Sequence, residues 1–240
     1  MKVVEVENYE EMSIYGAEVI RGLVERKPDL KVVLAVGNSP SGTYKELARL
    51  KEIKQFNTRS LHVFQLDGYL GLDADDPRSL ERWVREEVIG PWEISEDRFT
   101  PLKEKIDEPE EACREYVEKV KEAGGFDLAV LGLGPNGHLG FNEPPSALTD
   151  VTRIVPLTEE SLVSNAVYWG GIENVPPMSI TAGMDLLLAA RTVILLVNGE
   201  HKKGILRKTL YGPIDDSVPS SHLQSHNNVI VIADKLALSE

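Results

Sequence analysis

The sequence predicts an α/β protein built on an open, mostly parallel sheet flanked by helices on both faces. Two observations carry this. Short apolar runs rich in Val, Ile and Leu alternate with longer stretches patterned like helices, and small or chemically active residues close most of the apolar runs. Continuous apolar runs suit strands buried on both faces, which is their situation in a parallel sheet between two helical layers.

In chain order, a first strand begins almost at residue 1 and a helix covers Tyr9–Arg26. The run KVVLAV makes a strand of Lys31–Val36, followed by a helix over Gly42–Leu50. LHVFQL gives a strand at Leu61–Leu66, and a helix is expected over Arg78–Val88. Another helix spans Pro109–Glu122, where Ala112, Tyr116, Val117, Val120 and Ala123 recur at helical spacing with polar residues opposite. Strands follow at Phe126–Leu131 and Thr192–Val197, then a helix at His201–Leu210 and a strand at Asn228–Ala233. No internal repeat, low-complexity tract or linker divides the chain, so one domain over 1–240 is expected.

With 42% hydrophobic residues in 240, the chain can bury a substantial core. A net charge of −13 argues against nucleic acid or an anionic membrane as a main partner, since either needs a basic face. It leaves room for a small anionic substrate, because a local pocket of dipoles and one or two cations overrides the global field. The single cysteine, Cys113, excludes an intramolecular disulfide and sits in a helical pattern as a half-buried small residue. The N-terminal MKVVEVENYEEM lacks the apolar core of a signal peptide, and no run approaches a membrane span, so a soluble, cytoplasmic protein is expected. The sequence leaves the oligomeric state open, a homo-oligomer included.

The stretch DLAVLGLGPNGHLGFNEPP contains a literal G-x-G-x-x-G at Gly132, Gly134 and Gly137. A dinucleotide site would need a helix to start at the third glycine, so that its free N–H groups hold a pyrophosphate. Gly140 weakens such a helix, and Pro144 and Pro145 would break it within two turns. A loop that presents His138 and Glu143 fits better, and no nucleotide cofactor is expected.

Ligands of open α/β sheets bind at the carboxyl ends of the strands, so the residues after each strand are the informative ones. After Val36, the residues Gly37, Asn38, Ser39, Ser41, Gly42 and Thr43 offer N–H groups and hydroxyls, either as a phosphate cradle or as an ordinary helix cap. After Leu66, Asp67 and Gly68 form either a turn dipeptide or a buried acid/base. His138 and Glu143 have the makings of an oriented acid/base pair. Lys202 or Lys203, in NGEHKKG, stands against a helix dipole, a place for a cation that makes sense when an anion binds nearby. There is no H-E-x-x-H spacing and only one cysteine, so no metal site is expected. Together these residues imply a phosphorylated small substrate handled by acid/base chemistry.

The segments GLGPNGHLGFNEP (132–144), FQLDGYLGL (64–72) and GNSPSGTYKEL (37–47) resemble the glucosamine-6-phosphate deaminase (isomerase) family. The likeness continues through TRIVPLT, VPPMSITAGMDLLLAARTVILLVNGEHK and SSHLQSH, covering almost the whole chain. It implies a single Rossmann-like domain that converts glucosamine-6-phosphate and water to fructose-6-phosphate and ammonia without a cofactor. By the same resemblance, the phosphate rests on Gly37, Asn38, Ser39, Gly42, Thr43 and Lys202. His138, oriented by Glu143 with Asn136 in the relay, assists ring opening, and Asp67 moves a proton between C2 and C1. The alternatives are a galactosamine-6-phosphate deaminase, a 6-phosphogluconolactonase-like hydrolase, or a non-catalytic sugar-phosphate sensor. A sensor should carry a DNA-binding helix-turn-helix, for which a strand starting near residue 1 leaves no room. The chain departs from the family pattern at Asn136, where many members have Asp, and at Gly68, where Glu is usual. Val167 stands where an arginine commonly clamps the phosphate, and only Arg153 remains of the basic pair used by allosteric members, Val155 taking the second place.

Overall fold

The apolar runs become strands whose alternate side chains feed two different cores. Val33, Ala129, Val193 and Val231 face one layer, and their chain neighbours Val32, Leu128, Ile194 and Ile232 face the other. That division is why these strands carry no polar face.

The computed structural model describes residues 1–239. In chain order its elements begin with β1 (Lys2–Val6), α1 (Tyr9–Arg26), β2 (Lys31–Leu34), α2 (Asn38–Glu52), β3 (His62–Gln65), β4 (Asp67–Tyr69) and α3 (Leu80–Val84). Next come β5 (Phe99–Thr100), α4 (Pro109–Glu122), β6 (Leu128–Gly132), β7 (Arg153–Pro156), α5 (Glu159–Trp169) and β8 (Met178–Thr181). The chain closes with α6 (Met184–Leu188), β9 (Thr192–Val197), α7 (Lys203–Tyr211), β10 (Val229–Asp234) and α8 (Lys235–Leu238).

Seven strands form one sheet in the order β1-β10-β9-β6-β2-β3-β5, and every neighbouring pair is parallel. On one face lie α1 and α2, contributing Met12, Ile20, Tyr44 and Leu47. On the other lie α4, α6 and α7, contributing Tyr116, Val120, Leu187 and Leu206. The expected architecture is therefore the observed one. The strand order reverses between β2 and β6: β3 and β5 extend outward from β2, while β9 and β10 extend outward from β6. Such a reversal opens a crevice at the carboxyl ends of the two strands.

Three local expectations are corrected. The second helix starts at Asn38 rather than Gly42, because Pro40 falls in its first turn, where the missing N–H is not needed. The helix expected over Arg78–Val88 is α3 followed by a single π-helical turn, Arg85–Ile89. A second sheet, β4-β8-β7, is antiparallel and only three strands wide; its strands of three or four residues are too short to show a period. Its face, with α5 and Phe141, forms a third apolar cluster of Tyr69, Leu72, Val155, Leu157, Trp169 and Val175. Among the described residues, no helix is long and apolar enough to cross a membrane.

Candidate active site

The sheet order places β9, β6, β2 and β3 side by side, and being parallel they end on the same edge. These are the four strands whose ends carry Lys202, His138, the 37–43 loop and Asp67. The ends are tied together directly: Ser39 Oγ donates to Asn198 Oδ1 over 2.7 Å, reaching from the end of β2 to that of β9 across β6.

No helix follows β6. From Gly134 to Asn142 the chain is a run of turns, so the glycine motif delivers side chains and not a helix N-terminus. A Cβ on Gly134 would fall 2.1 Å from His138 Cδ2, so the ring lies where only glycine leaves space. His138 Nδ1 is 3.2 Å from Glu143 Oε2 and 3.3 Å from Ser161 Oγ. Asn136 accepts the His138 backbone N–H through Oδ1, while its Nδ2 donates to Glu143 Oε2 at 2.8 Å and to Thr158 Oγ1 at 3.1 Å. Burial pushes the Glu143 carboxyl up, but its bonds to His138, Ser161 and Asn136 outweigh that and hold it at about 2. A permanently ionised Glu143 takes the Nδ1 proton of His138 as its hydrogen bond, leaving Nε2 for a substrate.

Asp67 opens β4, opposite Thr181 of β8. It is 6% exposed, and among the described residues no donor bonds to its carboxylate. A Cβ on Gly140 would stand 3.2 Å from Asp67 Oδ2, so Asp67 borders the His138 loop. Burial, and next the negative charge of Glu104, raise the Asp67 carboxyl to about 7. A carboxyl balanced near neutrality, free of internal partners and bordering a histidine loop is equipped to take a proton and return it.

The 37–43 segment is the first turn of α2. Gly37, at φ 119, caps it without a side-chain bond, so the N–H groups of Asn38 and Ser39 have no acceptor within the helix. The other two expected contributors are placed differently. The Gly42 N–H is taken by Tyr9 Oη at 2.8 Å. Thr43 is fully buried, and a Cβ on Gly16 of α1 would stand 2.9 Å from its Oγ1. Both pack α2 against α1. Lys202 ends a 3₁₀ turn leading into α7; the turn is held by Asp234, whose two oxygens accept the Gly199 N–H at 3.0 Å. Burial lowers the Lys202 ammonium, which forms no ion pair among the described residues. A partly buried cation at a helix start, without a counter-ion, is arranged for an anion.

Val167 lies on the outer face of α5 and is 77% exposed. Lys203 and Arg207 line a cavity of about 540 Å³ between α7 and α8, which none of the cradle residues borders. Arg153 is engaged by Asn142 Oδ1 at 2.9 Å, Ser146 Oγ at 2.9 Å and Asp150 Oδ2 at 3.0 Å, bracing the segment that follows Phe141. The sequence reading missed Thr158 and Ser161, which reach the relay from the start of α5. A Thr followed by Glu159 and Glu160 is a legible helix start. It also missed Glu104, which reaches Asp67 only through the fold. Among the described residues no three His, Cys, Asp or Glu side chains are grouped as metal ligands.

Comparison with known proteins shows the family and the fold. The chain is 34% identical over 239 residues to glucosamine-6-phosphate deaminase 1 of Bacillus subtilis, covering 100% of this chain and 99% of that protein. It is 37% identical over 239 residues to the glucosamine-6-phosphate deaminase of Halothermothrix orenii, with 100% and 99% covered. A solved monomeric glucosamine-6-phosphate deaminase superposes with a TM-score of 0.97 at 34% identity, covering 100% of this chain and 99% of that one. The 6-phosphogluconolactonase of Trypanosoma brucei shares the fold, with a TM-score of 0.79 at 21% identity over 98% of this chain and 97% of the other. Residues 7–232 match the model of the glucosamine-6-phosphate isomerases/6-phosphogluconolactonase family, and the chain belongs to that family.

Proposed function

We propose that this chain is a glucosamine-6-phosphate deaminase that opens the sugar ring and moves a proton from C2 to C1. The observation that carries the proposal is Asp67: a buried carboxyl near neutrality, without an internal partner, bordering the loop of a histidine oriented by an ionised Glu143. The names of the full-length relatives support the substrate.

The phosphate sits on the free N–H groups of Asn38 and Ser39 and beside Lys202. His138 takes the C1 hydroxyl proton through Nε2 and returns it to the ring oxygen, so the ring opens to the aldehyde. Asp67 removes the C2 proton, and the C2–H electron pair forms the C1–C2 double bond. The carbonyl pair moves onto O1, which takes a proton from the substrate's ammonium, giving the enolamine. Asp67 returns the proton to C1, the nitrogen becomes an iminium at C2, and water adds there with loss of ammonia to leave the 2-ketose phosphate. The C2-to-C1 transfer takes one proton and gives it back, which suits a carboxyl whose two protonation states have similar free energy near neutral pH.

The test is an ammonia-release assay with glucosamine-, galactosamine- and N-acetylglucosamine-6-phosphate. Release from glucosamine-6-phosphate is expected. Turnover of the galacto epimer alone would move the assignment to that sugar. No ammonia from any of the three, with lactone hydrolysis present, would overturn the proposal.

A further inference from the structure

Glu104 is charged chemistry in an unusual place. It is 2% exposed, follows β5, and packs against Gly68, where a Cβ would stand 2.4 Å from its Cγ and 2.8 Å from its Cδ. Its two oxygens are treated unequally. Oε1 receives the Glu81 N–H at 2.7 Å, Ser79 Oγ at 3.1 Å and Gln65 Nε2 at 3.4 Å. Oε2 is buried with no partner among the described residues. Gln65 links the two acids, since the same Nε2 also donates to the Asp67 carbonyl at 2.8 Å.

The simpler account makes Glu104 a helix cap, because Ser79 and Glu81 open α3. Capping requires one acceptor oxygen, and a glutamine supplies it equally well. It does not explain a second oxygen buried without a partner, on a carboxyl whose charge acts on Asp67, an acid that itself lacks a donor. A buried carboxyl without full compensation is costly, and two of them as neighbours disfavour a second negative charge.

We propose that Glu104 is a positioning residue for Asp67: its carboxyl, seated in the space left by Gly68, sets the charge state in which Asp67 meets the substrate. The proposal deepens the deaminase reading and rests on it, since Asp67 is taken as the proton carrier. Burial raises Glu104 itself to about 7, against the pull of its three donors and with help from the charge of Glu81. With both carboxyls near 7, the pair holds about one proton at neutral pH, so Asp67 is available both as base and as acid. The other titratable groups around the pair are Glu81, which is paired with Arg85, then Tyr44, Tyr69 and Tyr116, and the His138–Glu143 pair beyond Gly140. All of them stay in place in the variants below.

The experiment compares wild type, Glu104→Gln and Gly68→Ala by two readouts: the pH profile of kcat/KM on glucosamine-6-phosphate, and the carboxyl ¹³C titration of Asp67. Glu104→Gln keeps the capping oxygen and removes the charge, so the acid limb and the Asp67 midpoint should both fall by about one pH unit. KM at the optimum should change less than about twofold, because Glu104 is not placed against the substrate. Gly68→Ala retains the charge but drives the Glu104 side chain away, and should move both readouts in the same direction. If Glu104→Gln and Gly68→Ala fold and leave the midpoint within about 0.2 units, Glu104 is a helix cap and the inference is wrong. The parent reading fails separately: an active Asp67→Asn would remove Asp67 from the mechanism, while the ¹³C titration would still report whether Glu104 controls it.

Discussion

Asn136 Nδ2 donates to Glu143 Oε2 over 2.8 Å, so the relay is built around an amide that donates where a carboxylate would repel. Asn136→Asp would set two carboxylate oxygens at that separation, and such a pair must share a proton. The acid limb of kcat/KM should rise by about one unit, with the plateau changed less than about tenfold. A pH profile checks this. An unmoved limb would show that Glu143 does not depend on the amide.

Asp67→Asn is expected to lower kcat by about 10²–10⁴ with inhibitor binding nearly unchanged, because the shape survives and the base is lost. Steady-state kinetics together with calorimetric binding of a non-reactive sugar phosphate separates the two effects. A variant retaining more than about a tenth of kcat would make Asp67 a turn residue.

Lys202→Ala should raise KM by about tenfold to a hundredfold and leave kcat within about threefold. A charge-assisted contact contributes about 1.5–3 kcal/mol, and the phosphate is remote from the reacting carbons. Inorganic phosphate inhibition should weaken in parallel. If KM stays constant, the anion does not bind at the start of α7.

Stability should carry the signature of the buried acids. Asp67 and Glu104 have folded values near 7, above ordinary values of 3.8 and 4.5. The folded state therefore holds these protons more tightly, and stability falls as pH rises from about 4 to about 7, then levels off. Glu143 works in the opposite direction: held at about 2, it contributes stability above about 4.5 that is lost as pH falls towards 2. Melting temperatures across pH 4–8 test this. Relative to wild type, a double variant Asp67→Asn and Glu104→Gln should gain stability towards pH 8. A constant difference across the range would contradict the assignment.

Arg153 is committed to Asn142, Ser146 and Asp150, and Val155 offers no charge. N-acetylglucosamine-6-phosphate should therefore leave the kinetics hyperbolic and unaltered, while Arg153→Ala should lower the melting temperature by loosening the segment that carries Glu143. Sigmoidal kinetics relieved by that sugar would overturn this.

Local pattern alone determined much of this protein. The parallel sheet was legible because each core strand is apolar on both faces, and α1 and α4 begin and end where their caps and periodicity place them. The loop reading of the glycine motif was legible too, since Gly140 and two prolines oppose a helix. Asp67, His138, Glu143 and Lys202 stood out because each follows a buried strand. Only the tertiary structure decided which strand ends are neighbours, because strand order depends on pairings between residues far apart in sequence. It also decided that Tyr9 takes the Gly42 N–H and that Thr43 is buried where α2 passes Gly16 of α1. Thr158, Ser161 and Glu104 became part of the site in the same way. Their side chains are ordinary in sequence, and their chemistry comes from burial and from partners brought 15 to 39 residues along the chain, as in Thr158 with Glu143 and Glu104 with Gln65. Hydrogen bonding and desolvation act through space, so the charge states of these acids exist only in the folded molecule.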